Sequence, residues 1–317
     1  MTSAHPRPSS SSSPLLPSVR RLALADLPAC LDLAADRGWT REEHKWRLLL
    51  TAGQGYGIDA PGDDPGGGLI GVYVLTSYGP PPSSPDPRAR TSVGMLLVAE
   101  RHARRGLGRR LMRHALERSG DAVAFLTATP YGRPLYEELG FAPVGTTVML
   151  TGRLSPAPSP EPPVPVRDAT AADLPAVLAL DARAFGADRA HLIVRLPSFA
   201  DHFVVAVPPE GPGAPPAGGA PGGIAGFAAA WPNEGTTVIG PVVAEEEATA
   251  RALITELASR TDGPVRYDAD LRHRGLVEWL RSGGLEGDFT TTVMVHGAPD
   301  VPGDLGLRFA PYSVALG

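Results

Sequence analysis

The chain holds one cysteine and one lysine, only 6% aromatic residues, and no apolar run approaching the ~20 residues of a membrane-spanning helix. Each shortage excludes something. With Cys30 alone there is no intrachain disulfide, and nothing suggests an oxidising compartment. Its helical spacing with Leu27, Leu31 and Ala34 makes it a small core residue. The eight histidines are scattered without metal-ligand spacing, so no metal is expected. The formal net charge of −5 lacks the basic excess that nucleic-acid or membrane-surface binding requires. Arginine carries almost all the positive charge, Lys45 being the sole lysine. Residues 1–17 lack the apolar core of a signal peptide and are rich in Ser and Pro. They are expected to be disordered, and the protein is expected in the cytoplasm.

What is present suffices for two domains: 317 residues with 43% hydrophobic content. Proline and glycine cluster at residues 59–68, 79–90 and 208–223, which read as loops, and at 154–165, a stiff proline-rich linker. The division is therefore a tail at 1–17, a first domain at 18–153, the linker, and a second domain at 166–317. The sequence also repeats itself. Residues 19–33 return as 166–180 with nine of fifteen positions identical; 93–100 return as 239–246, and 146–152 as 291–297. Three blocks at offsets of 147, 146 and 145 mean a duplicated domain whose halves share a fold.

Residues 92–119 read as a buried strand, a glycine turn crowded with arginines, and an amphipathic helix with Leu107, Leu111, Met112, Ala115 and Leu116 on one face. Gly106 and Gly108 let the backbone close on a ligand, and the helix N-terminus adds unpaired N–H groups and a positive dipole end. Arg104, Arg105, Arg109 and Arg110 add fixed charge. On physics alone this is a phosphate or pyrophosphate cradle. It is not a Walker loop, which needs Gly-Lys-Ser/Thr, nor the dinucleotide fingerprint, which needs glycine where Leu111 sits. The second copy has Thr249-Ala-Arg-Ala-Leu-Ile254 at this point, without glycine, so the first half is the cofactor-binding one.

The turn Ala103-Arg104-Arg105-Gly106-Leu107-Gly108 resembles the acetyl-CoA loop of the GNAT superfamily of N-acetyltransferases, Arg/Gln-x-x-Gly-x-Gly/Ala, with Ala103 at a position that is usually Arg or Gln. The stretch from Thr129 to Phe141 resembles the family's Asn-x-x-Ala-x-x-Phe/Leu-Tyr-x-x-x-Gly-Phe through Leu135, Tyr136, Gly140 and Phe141; Thr129 and Gly132 depart from it. The resemblance implies an α/β (α+β) fold of two tandem GNAT-like domains, each a mixed, centrally splayed sheet flanked by helices. It implies acetyl-CoA as co-substrate, held by main-chain N–H groups of the turn, Ala103 and Arg109 included, with Leu96, Leu97, Val98 and Thr129 along the pantetheine arm.

It further implies direct attack of a primary amine, from a small molecule or peptide, on the thioester. The oxyanion donor is expected from the main chain of residues 96–98, and Tyr136 protonates the leaving thiolate. Val277 stands near the place of Tyr136 in the second copy. Asp36, Trp39, His44 and Tyr78 are the candidate acceptor contacts; the first three lie around the helix junction that borders the acceptor site in the family. The general base is not evident: Glu100 falls at an exposed strand end, leaving water, Asp268 or Asp270. A non-catalytic acyl-CoA-binding module is the alternative. A second active site in the second half is a third, weaker reading. The acceptor's identity and the oligomeric state stay open.

Overall fold

The computed structural model describes residues 17–80, 86–155, 164–208 and 223–317; the expected tail (but for its last residue), most of the linker and most of the 208–223 loop lie outside them. The first half runs β1 (Arg20–Arg21), α1 (Leu27–Asp36), α2 (Glu43–Ala52), β2 (Gln54–Asp59), β3 (Leu69–Tyr78), β4 (Arg90–Val98), α3 (Leu107–Ser119), β5 (Val123–Ala128), α4 (Arg133–Glu138) and β6 (Ala142–Gly152). The second runs β7 (Val166–Asp168), α5 (Leu174–Phe185), α6 (Ala190–Ile193), α7 (Leu196–Phe199), β8 (His202–Ala206), β9 (Gly226–Asn233), β10 (Thr236–Ala244), α8 (Glu247–Ser259), β11 (Val265–Asp270), α9 (Arg274–Ser282), β12 (Leu285–Glu286), β13 (Thr290–His296) and β14 (Arg308–Ala310).

The helix faces follow the apolar periodicity. In α3, Leu107, Leu111, Met112 and Ala115 are buried while the arginines face outward; each large buried side chain contributes about 1.5–3 kcal/mol. α1 buries Leu27, Cys30, Leu31, Leu33 and Ala34 behind Pro28 in its first turn. Two helix starts differ from the sequence pattern. The Asp26 side chain does not cap α1; it accepts the Ala23 N–H at 2.8 Å and pairs with Arg20 at 2.8 Å. The pattern Thr-x-x-Glu at 40–43 predicts a capping box, but α2 begins at Glu43 without a side-chain cap, because Glu42 is drawn inward to Lys45 and Arg266.

Among the described residues the strands form one 14-stranded sheet in the order β1-β2-β3-β4-β5-β13-β6-β11-β10-β9-β8-β7, with β12 and β14 alongside. The order is a palindrome once repeat partners are matched, β1 with β7 through β5 with β11, and β6 with β13. At its centre Thr146 lies opposite Thr292 and Thr147 opposite Thr291, so the repeat-equivalent threonines cross about a pseudo-twofold axis. β6 pairs on its far side with β11, and β13 with β5. The last strand of each half thus completes the sheet of the other. No described helix is long and apolar enough to cross a membrane.

Exchange on this scale makes the halves mutually dependent. Without β11 and β13, β6 would present two unpaired edges, a template for aggregation. Residues 18–153 produced alone are expected to give no cooperative thermal transition by circular dichroism, whereas co-production with 166–317 restores one.

Candidate active site

The site originates where β4 leaves β5. The two strands pair in parallel only at Arg90↔Val123, Thr91↔Ala124 and Ser92↔Phe125. Beyond that, β4 bulges away: its register with β3 shifts between Val72 and Val74, and Met95 takes a left-handed φ of 53°. The backbone 311–317 crosses beneath the bulge, and a Cβ on Gly94 would stand 2.6 Å from the Ala315 carbonyl oxygen, which only glycine tolerates. The gap is a cavity of ≈ 1100 Å³, ample for a cofactor-sized ligand. Gly94 to Val98 form one wall, Leu96, Leu97 and Val98 among them; Thr127, Thr129, Leu135 and Tyr136 form the other.

At one end lies the glycine turn. Arg104 (φ 60°) and Gly106 (φ 78°) are both left-handed, a curl that gathers N–H groups into an anion-binding concavity. The first intrahelical bond of α3 is Arg110 N–H to the Gly106 carbonyl, 3.0 Å, so the N–H groups of Leu107, Gly108 and Arg109 have no partner within the helix. Ala103, Arg104, Gly106, Leu107, Gly108 and Arg109 line the cavity; Arg105 does not. One expectation is corrected: the Ala103 N–H is not available to a ligand, since it donates to the Glu100 carbonyl at 3.0 Å to close the short 100–102 turn. Arg109 is paired with Glu138.

Tyr136 reaches the cavity from α4, its ring over Gly132 and edge-on to Phe141 at 6.1 Å. Burial pushes its phenol up to about 12, so the group holds its proton firmly. Thr129, where the family pattern has Asn, accepts the Gly132 N–H through Oγ1 at 3.2 Å and orders the turn into α4. In the second half, Val277 sits buried on α9.

The four acceptor candidates separate. Trp39, 39% exposed, lines the cavity mouth. Asp36 does not line it; its carboxylate accepts the Glu100 N–H at 2.7 Å. His44 donates through Nε2 to the Phe199 carbonyl at 2.8 Å and stacks on the Phe199 ring, cementing the two halves. Tyr78 is not at the mouth. It is in the core, donating to the Leu316 carbonyl at 2.8 Å, because the crossing 311–317 backbone supplies a buried acceptor.

The sequence pattern did not single out Glu42, Lys45 and Arg266, which join Asp268 as a charged quartet lining the cavity from both halves, three of them buried and Arg266 half-buried. Glu42 pairs with Lys45 and, at 3.4 Å, with Arg266; it also accepts from Asn233 Nδ2 at 3.0 Å. Burial works against the Glu42 charge, but Lys45 and Arg266 hold its carboxyl below the usual range. Burial pulls the Lys45 amine down, opposed by Glu42 and abetted by Arg266. Of the two aspartates, Asp270 is bound to Arg272 at 2.8 Å and is not among the lining residues. The signal that could have found Lys45 is its uniqueness in a chain that otherwise uses arginine.

The equivalent gap in the second half is filled by the chain itself. β10 and β11 pair only at Thr237↔Val265 and Val238↔Arg266. Into the opening comes β14, paired with β10 at Val242 and Val243 and fixed by Tyr267 Oη to the Phe309 carbonyl, 2.9 Å. Where α3 begins with a glycine turn and arginines, α8 begins with Glu246 and Glu247, which disfavour an anion at a helix N-terminus.

Residues 86–152 and 177–310 each match the sequence model of an "Acetyltransferase (GNAT) domain". The chain is 26% identical over 294 residues to an uncharacterized N-acetyltransferase, YitH, of Bacillus subtilis, covering 90% of this chain and 94% of that one. In fold it matches a putative acetyltransferase from Pyrococcus horikoshii (TM-score 0.74, 16% identity, 99% of this chain and 100% of that). It also matches a GCN5-related N-acetyltransferase from Sphaerobacter thermophilus (TM-score 0.59, 18% identity, 91% and 99%). A tandem GNAT protein from the clavulanic acid biosynthesis pathway matches as well (TM-score 0.58, 16% identity, 89% and 99%).

Removing one anion from the quartet tests its balance. Glu42→Gln keeps the shape but leaves Lys45 and Arg266 facing one another, and is expected to cost about 3 kcal/mol of stability, read as a lowered denaturant midpoint at unchanged slope.

Proposed function

Since the chain belongs to the GNAT family and is an acyltransferase, we propose that it moves the acetyl group of acetyl-CoA to a primary amine by direct attack on the thioester, in the cavity of its first half. The observation that supports this most is the splay of β4 from β5, which joins an anion-binding turn at one end to a buried tyrosine along the wall. The N–H groups of Leu107, Gly108 and Arg109, with Arg104 beside them, would hold the pyrophosphate. The main chain of Leu96, Leu97 and Val98 would run along the pantetheine arm and offer an N–H to the developing oxyanion.

Tyr136 would then protonate the departing thiolate. Its phenol is a weaker acid than in water, because burial disfavours the phenolate. A thiolate released into the same enclosed slot suffers the same desolvation, so its proton affinity rises in step. The acceptor would enter past Trp39 and Phe289, both exposed apolar rings at the cavity edge, and past Met149. That lining suits a primary amine with an apolar body. A cytoplasmic setting goes with acetyl-CoA as the co-substrate.

Calorimetric titration of acetyl-CoA is expected to show one site per chain. Gly106→Trp, whose side chain would project into open space over the turn, is expected to abolish it. Two sites would overturn the reading of the second half. Tyr136→Phe is expected to lower kcat by about 10²-fold with acetyl-CoA affinity unchanged. Tight binding without transfer to any amine would make the protein an acyl-CoA-binding module.

A further inference from the structure

The duplication supplies an internal control for the charged quartet. Helices α1 and α5 are each followed by a left-handed glycine, Gly38 (φ 71°) and Gly186 (φ 70°). Counting on from them, Arg47-Leu48 meets Arg195-Leu196, Glu42 meets Ala190, and Lys45 meets Ile193. On the sheet, Asp268 lies opposite Met149 as Leu126 lies opposite Met294, and Arg266 opposite Thr151 as Ala124 lies opposite His296. Asp268 is therefore equivalent to Leu126, and Arg266 to Ala124. The four equivalent positions, two in each half, are all apolar. The fold does not need the charges. Burying an ion costs several kcal/mol before pairing, yet three buried ions and the half-buried Arg266 occur together at the open cavity.

Asp268 is the least committed member. It is 5% exposed and lines the cavity. Among the described residues its hydrogen bonds come only from Arg266, at 3.1 to 3.3 Å, longer than the 2.7–2.9 Å of a well-formed charge-assisted bond. Glu42, by contrast, is held by Lys45, Arg266 and Asn233.

Resting on the transferase reading above, we propose that Asp268, supplied by the second half, is the catalytic base that takes a proton from the acceptor's ammonium before it attacks. One N–H bond of the ammonium breaks and its proton passes to the Asp268 carboxylate. The freed lone pair forms the C–N bond to the acetyl carbon, and the carbonyl pair moves to oxygen. That pair returns as the C–S bond breaks and the thiolate takes the Tyr136 proton. The nitrogen's second proton restores Tyr136, and the proton on Asp268 leaves to water with the product. Burial, with Glu42 nearby, raises the Asp268 carboxyl above the ordinary carboxylate range, while Arg266 and Lys45 pull it back. This narrows the gap to the amine it must deprotonate. The second half, without a cofactor turn of its own, thereby contributes directly to the reaction.

The test compares two probe nucleophiles with acetyl-CoA at neutral pH: phenethylamine, which is protonated, and hydroxylamine, which is mostly not. Asp268→Asn is expected to slow transfer to phenethylamine by about 10²-fold or more and to leave transfer to hydroxylamine near wild type, with acetyl-CoA affinity unchanged. Equal loss with both, or loss with neither, overturns the proposal and leaves the transferase reading standing. A wild type that transfers to neither overturns both. If the Asn variant does not fold, Asp268→Ala with added formate decides: rescue confined to phenethylamine supports the base, and rescue of both or neither overturns it.

Discussion

The central pairing of β6 with β13 is the constraint on which the rest depends. It joins two sheets into one and closes each with the other's strand. It also places β11 beside β6, so that side chains of the second half enter the cavity of the first. Antiparallel pairing has no tolerance for a one-residue slip, because every side chain would change face. The threonines that cross at the axis thus fix the register of both halves at once.

From a symmetric frame the molecule builds an asymmetric result. Both halves splay their central parallel strands, but one gap stays open and the other receives β14. The same continuous backbone plugs the second gap at residues 308–310 and then floors the first at Val314 and Ala315. The open gap keeps a glycine turn and cations at its helix N-terminus; the closed one has carboxylates there.

Much of this was legible in the sequence. The repeated 15-residue block, the glycine turn and the apolar run of β4 each report local physics, and each predicts its element correctly. The duplication was legible for the same reason, since repeated blocks need no knowledge of how they meet. Tyr78, His44 and Asp36 were misplaced because their partners, the Leu316 and Phe199 carbonyls and the Glu100 N–H, lie 238, 155 and 64 residues away. Main-chain partners leave no side-chain signature to find. Ala103 shows a subtler limit: its N–H was counted as free, but a three-residue turn had already used it. The quartet was invisible because its members belong to opposite halves and assemble only through the strand exchange.

That exchange also bears on how such a gene can change over time. A duplicate whose own gap is filled by its chain is ordinarily free to decay or be deleted. Here neither copy can be lost, since deletion would strip the survivor of the strand that closes its sheet. Selection on the open cavity would therefore preserve both copies, and the second half would drift only where its residues neither complete the shared sheet nor face that cavity.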